Sequence, residues 1–183
     1  MAVTTLLIIL FVKEDDSQLV KKAESTNAVS NVKDRESATY GLPVRLKIPK
    51  IGVDAPVEQM GLTQDGDMEA PKTNEAVGWY KHGAQPGNIG SAVVAGHLGI
   101  DGKAVFGQLS SLEKSDVITI IDEHEQPVSF EVTETRRYSN DAAPTEVFSS
   151  ISGAHLNLIT CDGAWQAGQN TFADRLVVFA SRL

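Results

Sequence analysis

The chain has one cysteine in 183 residues, Cys161. A lone thiol excludes an intrachain disulfide and any zinc site built from several cysteines. Basic residues are also scarce, 16 Lys and Arg against 24 Asp and Glu, which leaves a net charge of -8. A nucleic-acid binder normally carries a basic excess, so that class is disfavoured, although a local basic patch survives the argument. No GxxxxGK phosphate loop is present, no GxGxxG follows a strand, and no His/Glu pair has metalloprotease spacing. The Gly-rich stretch 163–168 leads into a strand rather than a helix. The acidic turns 65–67 and 122–125 suit at most a weak cation, and neither matches an EF-hand loop. No metal or other cofactor is expected.

Glycine and proline are missing from residues 1–40, although the chain holds 15 and 7 of them. That shift puts a domain boundary near Tyr40. Residues 1–12, MAVTTLLIILFV, carry no charge. As a helix they span about 18 Å, short of a hydrocarbon core of about 30 Å. They fit either the end of a truncated membrane anchor or signal-like run, or an apolar element packed on a neighbour. The polar stretch that follows favours the anchor. Residues 13–39 are charged with balanced signs and are expected to form a stalk.

Residues 41–183 have the texture of an all-β domain, with short apolar runs between Pro, Gly, Asn and Asp. The expected strands are 44–48, 55–59, 67–70, 91–96, 117–121, 128–138, 155–161 and 175–180. Imperfect alternation at Phe130, Val132 and Thr135 predicts a bulge in the sixth. Segments 103–112 and 143–150 carry weak helical signals. Eight short strands with one or two short helices imply a closed barrel or a sandwich.

Three residues are candidates for chemistry. Cys161 ends the apolar run 156–160 and precedes Asp162 and Gly163, a turn signal. A nucleophile at a strand exit is held from behind and open in front, whereas a free cysteine is also a common small core residue. His97 follows the buried-strand pattern 91–96 and stands directly after Gly96, which permits close approach of a substrate or another backbone. His82 and His124 lie in loops, and His155 sits six residues before Cys161, roughly 20 Å away along a strand. His97 is therefore the best base. Arg175 opens the run 175–180. If its strand is the antiparallel neighbour of the Cys161 strand, it begins where Cys161 finishes, able to donate two hydrogen bonds to an oxyanion. Alone, it reads as well as a partner for Asp174. Together a thiol, an imidazole and a guanidinium suit acyl transfer, because nearby positive charge favours the thiolate.

At these residues the sequence resembles the sortases, cysteine transpeptidases of Gram-positive cell surfaces. The family signature Thr-Leu-X-Thr-Cys stands here as Asn157, Leu158, Ile159, Thr160, Cys161, departing only at its first position. A histidine after a small, apolar strand and an arginine opening the last strand also match, at Ala95, Gly96 and His97 and at Asp174 and Arg175. The stretches 46–53 and 78–87 are most similar to the class F or class E type. The resemblance spans about residues 43–183 and implies an eight-stranded sortase β-barrel. It implies that Cys161 attacks the Thr carbonyl of an LPXTG-like sorting signal, that His97 protonates the leaving amine, and that Arg175 orients substrate and oxyanion. A cell-wall precursor amine would then resolve the thioester. Segment 139–154 would wall the peptide groove, Thr160 would lie beside the nucleophile, and Ala95, Gly96 and Thr160 would contact substrate. The family also implies tethering by an N-terminal anchor on the outer face of the membrane. The alternatives are an L,D-type transpeptidase, whose Ser-His-Gly-Cys context is missing, a plain cysteine protease, and a surface-exposed peptide- or glycan-binding barrel without catalysis.

Overall fold

Alternating apolar residues in short segments can bury one face only by pairing with neighbours, and eight such segments close on themselves here. The computed structural model describes residues 40–183 except 65, 100, 101, 143 and 151; the expected anchor and stalk lie outside the described residues. The strands are β1 (Pro43–Ile48), β2 (Val53–Met60), β3 (Val77–Tyr80), β4 (Gly90–Gly96), β5 (Val117–Asp122), β6 (Pro127–Ser139), β7 (Ala154–Gln166) and β8 (Thr171–Arg182). They form a closed barrel in the order β1-β2-β3-β4-β7-β8-β6-β5. The β2–β3 and β4–β7 pairs are parallel and the others antiparallel. Among the described residues helix is confined to single turns: 3-10 turns at Pro49–Ile51 and Leu109–Ser111, and one α-helical turn, α1 (Thr145–Phe148).

Inward-facing residues of every strand, among them Leu46, Val94, Phe130, Leu158 and Val178, are sealed from solvent in one cluster. Phe106, Leu109 and Leu112, from the β4–β5 connection, join it. Each such side chain contributes about 1.5–3 kcal/mol by leaving water. The barrel interior is therefore packed, and any site must lie on its outer face or rim.

The sequence-based strands are largely present, with two corrections. Residues 67–70 make only one bridge, Leu62 to Met68, and stay mostly exposed, so they have no partner to complete a ladder. The third strand is instead β3, a four-residue run broken up by Gly78. Gly78 is needed because a side chain there would overlap Met60. The expected bulge in the sixth strand is present, between Val132 and Glu134 of β6 opposite β8.

The acidic turn 122–125 serves the fold rather than a cation. The Asp122 carboxylate, 2% exposed, accepts hydrogen bonds from the backbone N–H groups of Gly41, His124 and Gln126 at 2.8–2.9 Å. Burial alone would raise its pKa, but the three donors outweigh it and hold the carboxyl below its ordinary range. A depressed folded-state pKa stabilises fully above the ordinary carboxylate value of about 3.9, and that stabilisation is lost as pH falls from there through the lower folded-state value. Asp122→Asn is expected to cost about 2 kcal/mol near neutral pH. Thermal melts of the two proteins should show a gap that narrows as the solution is acidified toward pH 2.

Candidate active site

Residues of β7 alternate between two environments. Leu156, Leu158 and Thr160 are buried on the inner face, whereas Asn157 and Ile159 face outward under other elements. The next outward position belongs to Cys161, which is half-buried. On β8, Leu176 and Val178 point inward and Val177 and Phe179 outward, so Arg175 also faces outward. The antiparallel register sets Cys161 opposite Arg175, and Arg175 opposite Tyr138 of β6. Directly opposed backbones are about 5 Å apart. The register given for the parallel β4–β7 pair ends at Ala95 with Ile159. A hydrogen bond from Thr160 Oγ1 to the Gly96 carbonyl (2.9 Å) carries that offset one residue further. His97, the next residue, is thereby level with Cys161. Arg175, Cys161 and His97 thus face outward side by side, and Tyr138 of β6 adjoins them beyond Arg175.

Cys161 does not end its strand, as the sequence suggested. Asp162 and Gly163 form a bulge inside β7, with Gly163 at φ 75°, and the turn comes later, at residues 167–170. The hairpin continues past Cys161 to Gln166 opposite Thr171, and Trp165 packs edge-on against Phe172 at 5.1 Å. This extension holds the arginine. Arg175 donates from Nη1 to the Phe172 carbonyl (3.3 Å) and the Asp174 carbonyl (3.0 Å), and from Nη2 to Thr171 Oγ1 (3.2 Å). The expected alternative, pairing with the Asp174 carboxylate, is not what holds it. Three of its five N–H groups are used, leaving Nε and one Nη2 donor for an incoming oxygen. The Asp162 carboxylate is engaged by Arg137.

His97 Nε2 lies 2.8 Å from the Pro71 carbonyl. A carbonyl only accepts, so Nε2 carries a proton and Nδ1 remains for exchange with substrate. Pro71 belongs to the β2–β3 connection, which also sends Met68 into the outer apolar cluster around Val93, Val147 and Val177. The same cluster holds α1, from the β6–β7 segment, with Val147 buried. Both connections therefore border an apolar floor made by β4, β7 and β8.

Of the residues expected to touch substrate, Ala95 is on the outer face. Gly96 and Thr160 are buried on the inner side, where they support the outward residues from below. Among the described residues no cluster of His, Cys, Asp and Glu has metal-binding geometry.

A family model described as "Sortase domain" matches residues 46–183. This chain belongs to the sortase family. Sortases are cysteine transpeptidases, and the one thiol of this chain is that of Cys161. The fold is similar to sortase A from Corynebacterium diphtheriae at a TM-score of 0.60 and 20% identity, covering 80% of this chain and 63% of that one. It is similar to sortase A of Listeria monocytogenes (TM-score 0.61, 20% identity, 78% of this chain and 88% of that one). Sortase C-1 from Actinomyces oris gives 0.61 at 21% identity, over 90% of this chain and 98% of that one. No curated protein matches the sequence.

Sequence reasoning missed Tyr138 and the Pro71 carbonyl. Tyr138 lies in an exposed, charged stretch of β6 with no pattern of its own, and a backbone carbonyl leaves no mark on residue identity. Gly96 was legible, and its cause is now visible: a Cβ there would overlap the Phe106 ring. Gly96→Ala is expected to destabilise by about 1–3 kcal/mol through overpacking. It should also lower kcat, because His97 is the next residue. Denaturant melts and peptide-cleavage rates check both.

Proposed function

We propose that the chain cleaves an LPXTG-like sorting signal and joins the new carboxyl end to an amine of the cell-wall precursor. The observation that supports this reading is Cys161 opposite Arg175 in the β7–β8 register, with His97 two residues beyond the last β4–β7 pair, Ala95 with Ile159. The Cys161 thiolate adds to the Thr carbonyl carbon, and the carbonyl electrons move onto oxygen. The two uncommitted donors of Arg175 stabilise that oxyanion. As the tetrahedral adduct collapses, the C–N bond to the following glycine breaks. His97, ring held through Nε2 by Pro71, gives a proton from Nδ1 to the departing amine. A thioester remains. The incoming amine loses its proton to His97 and attacks the thioester carbon, and Cys161 leaves as thiolate. Ala95 lies at the groove floor against the bound peptide, while Gly96 and Thr160 act from beneath it.

The finer assignments rest on family membership. We place the enzyme on the outer face of a Gram-positive cell membrane, tethered through its N-terminus by residues 1–12 and a stalk up to residue 40. The motifs at 46–53 and 78–87 favour the class F or class E type. Among the described residues no helix is long and apolar enough to cross a membrane.

A labelled Leu-Pro-Ala-Thr-Gly peptide incubated with an amine acceptor tests the reading. The parent protein should give the amine adduct and Cys161→Ala none, with Arg175→Lys reducing kcat about 100-fold. Release of the peptide carboxylate at a rate indifferent to amine would make the enzyme a protease. Equal product from the parent and Cys161→Ala would reject catalysis by this thiol.

A further inference from the structure

Three consecutive residues of α1 are gripped by three different strands. Glu146 Oε1 accepts a hydrogen bond from the Tyr138 hydroxyl of β6 at 3.0 Å. The Val147 carbonyl accepts one from Asn157 Nδ2 of β7 at 2.6 Å. The Phe148 ring meets Tyr80 of β3 edge-on at 6.0 Å. A helix of one turn has almost no stability of its own, so these tertiary contacts decide where it lies.

We propose that Tyr138 and Asn157 are positioning residues for substrate recognition, holding α1 as a preformed wall of the peptide groove. This inference rests on the sortase reading and names the part of the chain that sets the groove's width.

Asn157 is the one departure from the family signature, and its environment explains the exchange. The residue is 1% exposed, its Nδ2 is spent on α1, and its Oδ1 has no partner among the described residues. A buried unpaired acceptor is costly, so packing alone would favour an apolar residue. The threonine of the signature ends one bond short of the amide nitrogen, too early to make the same hydrogen bond. Asparagine therefore reaches across the sheet to tether the wall. Tyr138 grips the adjacent residue from the other side. Its backbone is opposite Arg175, so the tether starts on the strand next to that residue. The floor below is apolar, lined by Val93, Ile159, Val177 and Phe179. It suits an extended peptide carrying one apolar side chain. A wall fixed in advance spares that peptide the cost of ordering it.

The test uses two variants, Tyr138→Phe and Asn157→Leu, each nearly isosteric and lacking the tethering group. In the intact chain, hydrogen exchange at the Val147 and Ser149 amides, which donate to Pro144 and Thr145, should accelerate about tenfold in each variant while the melting temperature moves little. KM for the labelled sorting peptide should rise about three- to tenfold, with kcat within about twofold. The double variant should fall short of the product of the single effects, because both tethers hold one helix. Faster exchange with an unchanged KM would overturn the recognition role, as would a lower kcat at constant KM. Unchanged exchange would overturn the tether itself. If Asn157→Leu fails to fold, Tyr138→Phe, altered at a more accessible group, decides alone. A parent protein that binds and cleaves no sorting peptide would count against the sortase substrate assignment, and the exchange measurement would still judge the tether.

Discussion

The pairing of β7 with β8 is the constraint on which the site depends. Leu156, Leu158, Leu176, Val178 and Ala180 bury their side chains in the barrel and lock the two strands in one register. Side-chain direction in a strand has a period of two, so a slip of one residue would turn Cys161 into the packed interior. The same slip would part it from Arg175. Core packing thus supplies the precision with which Cys161 faces Arg175, and these side chains need little mutual interaction to be aligned. Among the described residues no hydrogen bond joins Cys161 to His97 or Arg175. Their positions come from the ladders behind them.

The arginine adds a second layer of alignment. Its anchors are Thr171, Phe172 and the Asp174 backbone, all on the far stretch of the β7–β8 hairpin. That stretch exists because β7 continues beyond Cys161 through a bulge at Asp162 and Gly163. The left-handed φ at Gly163 suits glycine. The edge-on pair Trp165 and Phe172 then closes the hairpin. Two features that read separately in sequence, a Gly after the nucleophile and an aromatic in a Gly-rich stretch, form one device that aims a guanidinium.

The legible and illegible parts of the sequence follow from how each element is buried. Strands β4, β5 and β7 were plain because both their length and their apolar pattern are carried by consecutive residues. Strand β3 was missed because Gly78 splits a run of only four residues, and its parallel partner β2 is fixed by tertiary contact alone. Residues 67–70 looked like a strand through Met68, whose real role is to cover the outer cluster rather than to extend a sheet. Cys161, His97 and Arg175 stood out because their chemistry is rare in such a chain and each adjoins a strong strand signal. Tyr138 did not, since its significance is a register position opposite Arg175. Pro71 enters through a carbonyl that every residue possesses.

A closed, filled barrel leaves only its outer face for a substrate, and that face has no concavity until loops are added. The β2–β3 and β6–β7 connections supply it, and they are attached differently. The first is bonded to His97 itself through the Pro71 carbonyl, so displacement of that wall would also release the imidazole. The second is bonded to Tyr138 and Asn157, which take no part in the proposed proton transfer. Changes in the β6–β7 wall can therefore alter which peptide is held while leaving the chemistry intact. Changes in the β2–β3 connection reach the His97 ring directly, so on the proposed mechanism the two connections are unequally free to vary.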